Sequence, residues 1–425
     1  RWDYQGKYYA NIAIRTDGSS RLAAGNQWAF FPSGGVAWRI SEEKFFGKRE
    51  WLNSLKLRAS YGAVGNSAID PYQTIAGLSK YDYLFGEDAS NKFFAYRPSM
   101  IPNKDLGWEI SRTANFGVDF GLWNNRISGY IEGYITKTSD LLMERTLPFF
   151  TGFSKVWQNI GKTENKGIEL NIQANTLKTK SFSWETTVTF ARNWNKITEL
   201  LGGGDIRNNS WFIGKPLQVH YNYEMIGVWQ LGEEKEAQKY GAIPGDIKVK
   251  DQNNDGSIGE LDKVILGQKD PKIIASLLNS FRFGAFDASI NLNMNFGSLI
   301  HPNTYASLIT RDGLRWMPSN FKYWTPDNPT NEYTRADKLS GYDPFAGTGG
   351  YMKGDYIKIQ DITLGYDFSK IMPKNWKILR ARLYAQVRNL GYIYKACKND
   401  VSPEAPDFDY NIPTTYTTVS YTHLT

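Results

Sequence analysis

Residues Phe286–Phe296 read FDASINLNMNF, and their side chains alternate between apolar and polar without a break. Successive side chains of a β-strand point to opposite faces, so this strand has one wholly apolar face and one wholly polar face. At about 3.3 Å per residue, its length is what a tilted strand needs to cross the hydrocarbon core of a bilayer. A strand of a soluble sandwich can alternate too, but its polar face rarely carries three asparagines. The stretch therefore predicts a membrane-crossing strand.

The same alternation recurs along the chain and predicts about twelve spanning strands. We place them at residues 7–15, 28–40, 55–63, 108–123, 126–140, 166–175, 184–193, 273–283, 286–296, 355–368, 377–389 and 412–421. The sequence thus predicts an all-β fold, the wall of an antiparallel up-and-down transmembrane β-barrel.

The connections between these strands are alternately short and long, as in outer-membrane barrels with short periplasmic turns and long external loops. The short ones lie near residues 41–51, 124–125, 176–181, 284–285 and 369–376. Residues 65–107 have no clean period and are expected to form a long loop. Residues 198–271 and 298–354 are expected to be long external loop regions, the first with a small hairpin of its own.

The composition agrees with a barrel wall. Aromatic residues make up 15% of the chain, with 26 Tyr and 14 Trp. These two residues collect where one end of a ring is apolar and the other is wet, as at membrane interfaces. A mean hydropathy of −0.48 and the lack of any run of about 18 apolar residues exclude helical membrane spans. The criterion of a long apolar run does not exclude membrane-spanning β-strands, because only alternate residues of a barrel strand face lipid.

Several functions are disfavoured by the same composition. The net charge is +7, but Lys and Arg alternate with apolar residues instead of clustering, which argues against nucleic-acid binding. The single cysteine, Cys397, is expected to be a packing residue. His220, His301 and His423 lie far apart in sequence, with no evident metal or triad constellation around them. The carboxylates follow strand and turn positions and form no acid–base pair, so no enzyme is expected.

Several stretches resemble one protein family. They are GKYYANIAIRTDGSSR (6–21), FFPSGGVAWRISEEKFF (30–46), LKLRASYGAVGN (55–66), NIGKTENKGIEL (159–170), GDIKVKDQNNDGSI (245–258), FKYWTPDNPTNEY (321–333) and GDYIKIQDITLGYDF (354–368). In this order, from residue 4 to about 404, the chain resembles the SusC/RagA-like TonB-dependent outer-membrane transporters. The resemblance implies an energised importer with a plugged barrel of about 22 strands. It also implies a SusD-like surface lipoprotein that caps the barrel and helps to capture glycans or peptides.

The resemblance implies that residues 1–425 are the C-terminal part of such a barrel, in the outer membrane of a Gram-negative bacterium. About ten further strands are expected upstream in the family, and this sequence is expected to lack them. The N-terminal plug, the TonB-binding box and the signal peptide are likewise expected to be absent. The family's last strand usually ends on an aromatic residue, whereas this chain ends SYTHLT. As given, the chain is expected to form a curved, incomplete sheet with two unpaired edges.

One local motif has the spacing of a calcium loop. Positions 1, 3, 5, 7 and 12 of such a loop require oxygen donors, and position 6 requires glycine for the turn. The chain has Gly256 at position 6, and its candidate ligands are Asp251, Asn253, Asp255, Ser257 and Asp262. The alternative is an Asx-rich turn, in which Asn, Asp and Gly act as turn formers. Structural Ca²⁺ is the one cofactor that the sequence suggests.

Three further sets of residues are candidate contact sites. Arg380, Arg382 and Arg388 are predicted to face the lumen, to attract an anionic substrate or to pair with acidic residues of the plug or of neighbouring strands. Phe149 and Phe150, beside Pro148, suit a hydrophobic contact with the lipoprotein lid. The aromatic residues of the external loops, which could stack on sugars or on a partner or pack within their own loops, are Trp211, Tyr305, Trp316, Trp324 and Tyr342.

The sequence therefore predicts outer-membrane import of oligosaccharides or peptides by a TonB-dependent transporter that works with a lipoprotein lid. Its expected partners are a SusD-like lipoprotein, the TonB complex, outer-membrane lipid and the oligosaccharide or peptide substrate. One alternative is a passive porin-like channel, which would lack the plug and the TonB box. The other is a soluble β-rich carbohydrate-binding or degrading protein, which would be extracted without detergent.

Overall fold

The computed structural model describes most of the chain. The described residues are 1–75, 77–84, 92–98, 100–153, 155–309, 321–335, 345, 347–373, 378–398, 401–405 and 412–424. Among them, no helix combines the length and the apolar composition that crossing a membrane requires.

Strands dominate the described residues. Those of the first half are β1 (Trp2–Tyr4), β2 (Tyr8–Gly18), β3 (Trp28–Arg39), β4 (Leu52–Asn66), β5 (Leu78–Leu84), β6 (Lys92–Pro98), β7 (Glu109–Leu122), β8 (Ile127–Ser139), β9 (Leu142–Thr146), β10 (Lys155–Asn159), β11 (Lys162–Lys178) and β12 (Phe182–Glu199). Those of the second half are β13 (Val219–Tyr223), β14 (Met225–Val228), β15 (Ile247–Val249), β16 (Lys263–Gln268), β17 (Ile273–Phe283), β18 (Phe286–Phe296), β19 (Leu299–Ile300), β20 (Met352–Lys353), β21 (Tyr356–Asp367), β22 (Ile378–Lys395) and β23 (Thr415–Leu424).

Helices are few and short. The α-helices are α1 (Glu234–Lys239) and α2 (Asn303–Ile309). Single turns of 3-10 helix are found at Ile40–Glu42, Phe149–Thr151, Leu201–Gly203, Arg207–Asn209, Glu260–Asp262 and Phe368–Lys370.

Thirteen strands form one antiparallel sheet, in the order β1, β2, β3, β4, β7, β8, β11, β12, β17, β18, β21, β22 and β23. Each strand of this sheet lies beside the one that precedes it once the small hairpins are left out, so the topology is up-and-down. The predicted all-β antiparallel fold is confirmed, and every predicted spanning strand is present. The sheet gains one strand that the sequence did not predict, the three-residue β1.

The first compact unit comprises Arg1–Ala174 and Ala191–Leu217. Within it the sheet runs from β1 to β4, then through β7 and β8 to β11. Two hairpins, β5–β6 and β9–β10, lie outside the main sheet. The buried side chains form two small clusters in and around the loops: Leu22, Ala23, Ile69 and Leu106, and Leu141, Met143 and Ile160.

The second compact unit comprises Asn175–Phe190 and Gln218–Thr425. Its long strands β17, β18, β21, β22 and β23 pair in that order. Its short strands form two-stranded sheets of their own: β13 with β16, β14 with β15, and β19 with β20. Near α1, the buried residues Trp229, Ala237 and Ala242 form a third cluster.

The register of the long strands keeps apolar and polar side chains on separate faces. Ile290 lies opposite Ile362, and Ile362 lies opposite Val387, so aliphatic residues of three adjacent strands share one face. Asn291 lies opposite Asp361 on the other face. Directly opposed residues of an antiparallel pair point to the same side of a sheet, so the alternation in neighbouring strands gives one mainly apolar face and one mainly polar face.

Many side chains of the apolar face are exposed. Ile12 is 82% exposed and Leu364 is 61% exposed. Ile168 and Leu383 are also exposed, although each is flanked by its strand neighbours. A soluble protein of this size buries such a face against a second layer, whereas a membrane protein leaves it for lipid.

Six strands extend beyond the predicted ends. β11 and β12 begin earlier and end later than the ranges 166–175 and 184–193. The other four extensions are those of β2 to Gly18, β4 to Asn66, β22 to Lys395 and β23 to Leu424. The additional residues include runs such as Lys-Thr-Glu-Asn at 162–165, which carry no apolar alternation. Main-chain pairing continues there without an apolar face, so a search for alternating hydrophobicity cannot detect it.

The irregular regions contain more structure than predicted. Residues 65–107, expected to be a long loop, contain the hairpin β5–β6. The hairpin expected within 198–271 is present as two nested strand pairs, β13–β16 and β14–β15, together with α1. The region 298–354 contains α2 and the pair β19–β20. The pairs in 198–271 and 298–354 are too short for a periodic signal, and each joins segments that are well separated in sequence.

Candidate functional site

A cleft of about 610 Å³ lies among the small sheets of the second unit. Met225, Ile226 and Gly227 of β14 line it, and so does the segment 348–352 that leads into β20. Tyr305 of α2 also contributes to the lining. Concave sites with apolar walls and a few convergent polar groups are the usual form of ligand sites, so this cleft is the main candidate site of the described loops.

A close approach at Gly227 connects two parts of the lining. The Oδ1 of Asn331 accepts hydrogen bonds from the backbone N–H of Val228 and from Nε2 of Gln230, each at 3.2 Å. Gly227 has a φ of +150°, and a Cβ atom there would lie 2.7 Å from Asn331 Oδ1. Only glycine allows this approach, by which Asn331 holds β14 against the neighbouring segment.

Paired charges lie along the cleft. Lys398 Nζ lies 2.9 Å from Glu332 Oε1, and both residues line the cleft. Glu224 also lines it, and its Oε2 accepts hydrogen bonds from Gln252 Nε2 at 2.8 Å and from Lys250 Nζ at 3.4 Å. The two carboxylates and two ammonium groups balance one another in charge.

Two of the three histidines lie close together, although they are 81 positions apart in sequence. The ring centroids of His220 and His301 are 6.3 Å apart, and the ring of Tyr351 lies 5.1 Å from the first and 4.2 Å from the second. His220 Nε2 is 2.9 Å from the carbonyl oxygen of Leu299, and His301 Nε2 is 3.0 Å from that of Gly349. The cluster thus joins the segments around Leu299 and Gly349, both of which line the cleft.

Tyr351 is fixed on its hydroxyl side as well. Asn222 Nδ2 donates to the Tyr351 hydroxyl at 3.1 Å and to the carbonyl oxygen of Gly347 at 3.3 Å. Burial raises the pKa of Tyr351, and the hydrogen bond from Asn222 opposes that shift. The residue therefore stays neutral and acts as a packing element of the cleft.

The candidate calcium loop is organised by its own hydrogen bonds. Asp251 Oδ1 accepts from the N–H of Asn254 at 2.6 Å, and Asp251 Oδ2 accepts from the N–H of Gly256 at 2.9 Å. Asp255 Oδ1 accepts from the N–H of Ser257 at 2.8 Å and from its hydroxyl at 2.7 Å. These bonds, the one from the Ser257 hydroxyl first, lower the pKa of Asp255, which stays ionised.

The fifth candidate ligand, Asp262, is fully buried. Its Oδ1 accepts from the N–H of Gln252 at 2.8 Å, and its Oδ2 accepts from the N–H of Gly259 at 2.7 Å. In the described part of the chain, no group of three or more His, Cys, Asp or Glu side chains is arranged to hold a metal ion. Calcium binding would require the loop to exchange these hydrogen bonds for metal–oxygen bonds, and it stays a prediction.

The described aromatic candidates pack against other loop residues, and two of them contact a loop other than their own. Trp211 packs against the cluster around Leu141. Trp324 is 7% exposed, and its indole Nε1 donates to Gln230 Oε1 at 2.8 Å. Tyr305, also 7% exposed, lies at the cleft with its ring 5.9 Å from that of Phe321. Their contact with a substrate or lid stays a prediction, and Trp316 and Tyr342 lie outside the described residues.

Phe149 and Phe150 form the most exposed apolar group of the first unit. They are 99% and 88% exposed and lie in a single turn of 3-10 helix between β9 and β10. The turn is closed by Gly152, which has a φ of +76°, and by the Thr151 hydroxyl, which donates to the carbonyl oxygen of Pro148 at 2.8 Å. Two phenylalanines held outward by a closed turn form a surface suited to a partner.

Two of the three predicted lumen-facing arginines, Arg382 and Arg388, lie on the polar face. Arg382 Nε donates to Asp287 Oδ1 at 3.1 Å, which joins β22 to β18 by a charge-assisted bond. Arg388 lies opposite Asp361 in the register of β22 and β21. The side chain of Arg380 lies outside the described residues. Pairing with neighbouring strands is one of the two roles that the sequence suggested for this row.

Among the residues that line the cleft, sequence reasoning singled out Tyr305 and missed the rest. Asn331, Glu332 and Lys398 lie in stretches without periodicity, and Tyr351 was one of many loop tyrosines. The family resemblance could have drawn attention to Asn331 and Glu332, because both lie in residues 321–333, one of the stretches that resemble the family. Cys397 is buried, as expected for a packing residue.

Comparison with known proteins places the fold in a family. Residues 1–390 match the family model described as TonB dependent receptor-like, beta-barrel. TonB-dependent receptor P26 of Formosa agariphila is 32% identical over 386 residues, which is 86% of this chain and 38% of the relative. TonB-dependent receptor SusC of Bacteroides thetaiotaomicron is 30% identical over 405 residues, 90% of this chain and 38% of the relative.

Among solved structures, the RagAB peptide transporter is similar in fold, with a TM-score of 0.77 and 23% identity over 98% of this chain and 46% of that chain. The chain therefore spans less than half the length of these relatives. The matched family model, the similar proteins and the antiparallel sheet all indicate the same kind of β-barrel. The chain belongs to the TonB-dependent receptor-like β-barrel family, as a SusC/RagA-like protein of the outer membrane of Gram-negative bacteria.

Proposed function

We propose that the protein imports oligosaccharides or peptides across the outer membrane as part of a TonB-dependent transporter. The observation that supports this most is the identity of 30% to SusC over 90% of the chain. The exposed apolar face of the sheet supports a wall in contact with outer-membrane lipid. The chain would contribute that wall and the loops that meet the ligand, and its role is transport and not catalysis.

We further propose two protein partners. The relatives named TonB-dependent receptor support coupling to the TonB complex, acting on regions of the intact protein outside the matched residues. A SusD-like surface lipoprotein would cover the external loops and capture the ligand with them. The exposed pair Phe149 and Phe150 is the described feature that best suits contact with such a lid.

Uptake measurements in the bacterium that encodes the protein test this function. Fluorescent oligosaccharides and peptides are offered to the wild-type strain, to a strain without this gene and to a strain without TonB. We expect uptake of one ligand class to be lost in both deletion strains and restored by the intact gene. Uptake that survives the loss of TonB but requires this gene would instead indicate a passive channel.

We also propose that the loop 251–262 takes a structural Ca²⁺. Its oxygen donors are of the type that calcium prefers, and Gly256 has the positive φ of +80° that the tight turn requires. Isothermal titration calorimetry of the intact protein with calcium chloride tests the proposal. Asp255→Ala is expected to abolish the binding heat, whereas Asp270→Ala, an exposed control outside the loop, is not. Identical heats for the wild type and Asp255→Ala would refute calcium binding by this loop.

A further inference from the structure

The side-chain amide of Asn279 lies on the apolar face of the sheet, and its neighbours fix its orientation. Asn279 Oδ1 accepts hydrogen bonds from Trp184 Nε1 at 2.9 Å and from the Thr186 hydroxyl at 2.8 Å. The Thr186 hydroxyl in turn lies 3.1 Å from the hydroxyl of Thr176. An indole N–H can only donate, so the amide atom beside Trp184 is the oxygen and not the nitrogen.

The nitrogen of the same amide keeps its two N–H donors open. Both hydrogen bonds that Asn279 makes with the described residues end on Oδ1, so Nδ2 has no acceptor among them. The face to which Asn279 belongs is the one turned towards lipid, since Asn279 lies opposite Ile290. An N–H group without an acceptor is costly in hydrocarbon, where no water is at hand. The amide therefore requires an acceptor at the membrane surface of the protein.

Asn279 lies near one border of the membrane. It is four residues before the end of β17, which is about 13 Å along the strand at about 3.3 Å per residue. For a strand tilted by about 45°, that distance is about 9 Å of depth. Rings typical of the membrane interface occupy the same end, where Phe286 lies 4.5 Å from Tyr366. Short turns such as that at Gly284 are periplasmic in outer-membrane barrels, so this border belongs to the phospholipid leaflet.

An apolar groove of about 390 Å³ adjoins the amide. Phe281 lines the groove, and its ring centroid lies 5.7 Å from that of Trp184, the indole that donates to Asn279. The volume is within the range of about 300–1,000 Å³ that is usual for small-molecule sites. A molecule that reaches the open Nδ2 of Asn279 can thus extend into the groove.

Small residues between large ones create this groove. Two rows of opposed residues run across it: Ala288, Leu364 and Ala385, and then Phe286, Tyr366 and Leu383. The two alanines leave room that their larger neighbours enclose. The carboxylate of Asp287, which also lines the groove, is paired with Arg382. The groove therefore offers mainly hydrocarbon surface to an occupant.

We propose that Asn279 and this groove bind one phospholipid of the periplasmic leaflet. Asn279 Nδ2 donates to an ester carbonyl oxygen of the lipid, and one acyl chain lies in the groove between Phe281 and Leu383. A lipid ester supplies acceptors next to a hydrocarbon chain, which is the combination that an open amide donor beside an apolar groove requires. Binding of a lipid here goes beyond the proposed import function and does not depend on which substrate is carried.

Native mass spectrometry of the intact protein in detergent tests the site. The protein is titrated with dioleoyl phosphatidylethanolamine and with the diether analogue of this lipid, which lacks the ester carbonyl groups. We expect the wild type to retain one ester lipid and to bind the diether about fivefold more weakly, because one hydrogen bond is lost. Asn279→Leu is expected to bind both lipids alike, at the level of the diether on the wild type.

A second variant examines the groove. Ala385 is exposed, so Ala385→Phe fills the groove without disturbing a packed core, and it is expected to weaken binding of the ester lipid by at least about fivefold. The matched control is Ala114→Phe, which changes an exposed alanine of the apolar face of β7, outside the groove. For Asn279→Leu the matched control is Asn293→Leu, opposite Ser276 on the polar face. Both controls are expected to leave the Kd unchanged.

Three results would overturn the proposal. They are equal binding of ester and diether lipids by the wild type, a Kd that ignores Asn279→Leu, and a Kd that ignores Ala385→Phe. A dimer that Ala385→Phe dissociates without loss of lipid would assign the groove to a second copy of the chain. Heat-modifiable gel mobility verifies that each variant is folded. Lipid binding as expected, in a protein whose uptake proves independent of TonB, would keep this site and overturn only the import function.

Discussion

The Asp262 side chain is fully buried, and each of its carboxylate oxygens accepts a backbone N–H from a different side of the loop. Replacing it with alanine leaves the N–H groups of Gln252 and Gly259 without acceptors. Each unsatisfied buried donor costs about 1–3 kcal/mol. We therefore expect Asp262→Ala to lower the free energy of local opening of residues 251–262 by about 2 kcal/mol or more, measured by native-state hydrogen exchange of these two amides.

Asp255→Ala is the matched control for that experiment. Asp255 is exposed, and its hydrogen bonds are all made within the turn. In calcium-free buffer we expect it to change the same exchange rates far less than Asp262→Ala does. Equal effects of the two substitutions would show that the buried carboxylate does not organise the loop. The pair thus separates the structural role of Asp262 from any role of the loop in binding calcium.

At the scale of a strand, the two faces of β18 meet different surroundings. Ile290 lies in the ladder with Ile362 and Val387 on the apolar face, and Asn291 lies on the polar face beside Asp361. A lysine near the middle of the lipid-facing surface costs about 2–4 kcal/mol. We expect Ile290→Lys to reduce the folded, heat-modifiable fraction of the intact protein in the outer membrane, measured on gels with and without heating.

The control is Asn291→Lys. It introduces the same side chain, lysine, at the next residue of β18, which lies on the polar face. It places the ammonium group near the carboxylate of Asp361 on the polar face, so folding is expected to proceed as in the wild type. If Asn291→Lys reduced the folded fraction as much as Ile290→Lys, the assignment of the apolar face to lipid would be wrong.

Asn279 is a polar residue on the apolar face, and its hydrogen bonds are made within the sheet. Asn279 lies opposite Ile290, on the apolar side. Its Oδ1 accepts hydrogen bonds from Trp184 Nε1 at 2.9 Å and from the Thr186 hydroxyl at 2.8 Å. The pattern of a single strand cannot reveal this partnership, because the donors belong to β12, more than 90 positions earlier.

At the scale of the whole molecule, association with the proposed lid is expected to depend on Phe149 and Phe150. Both are almost fully exposed on a closed turn. Large apolar anchors dominate the free energy of association, at about 2 kcal/mol or more each. We expect the double variant Phe149→Ser with Phe150→Ser to weaken binding of the purified lipoprotein partner by at least about tenfold, measured by microscale thermophoresis.

Leu201→Ser is the matched control, because Leu201 is a leucine of the same unit, 50% exposed, in another single turn of 3-10 helix. It is expected to leave the affinity unchanged. An unaltered affinity of the double phenylalanine variant would exclude this hairpin from the lid interface.

The positions of the sheet strands could be predicted from the sequence far better than the residues of the cleft. Residues 286–296 were placed without error, because β18 alternates from its first residue to its last. β11 was placed four residues short at its start, where polar residues continue the strand. For the cleft, local patterns gave no guide: His220 and Leu299 are 79 positions apart, and Asn222 and Tyr351 are 129 apart.

The sequence by itself determined the class of fold, the order of the twelve long strands, and the family. Each of these follows from the two-residue period of a strand or from local motifs, which neighbouring residues carry without help from distant ones. Only the tertiary structure decided that the histidines of β13 and of the segment before α2 meet at Tyr351, that Asp262 is buried, and that β14 borders a cleft. Those features depend on contacts between segments far apart in the chain. The local sequence of a loop does not specify which distant segments it will contact.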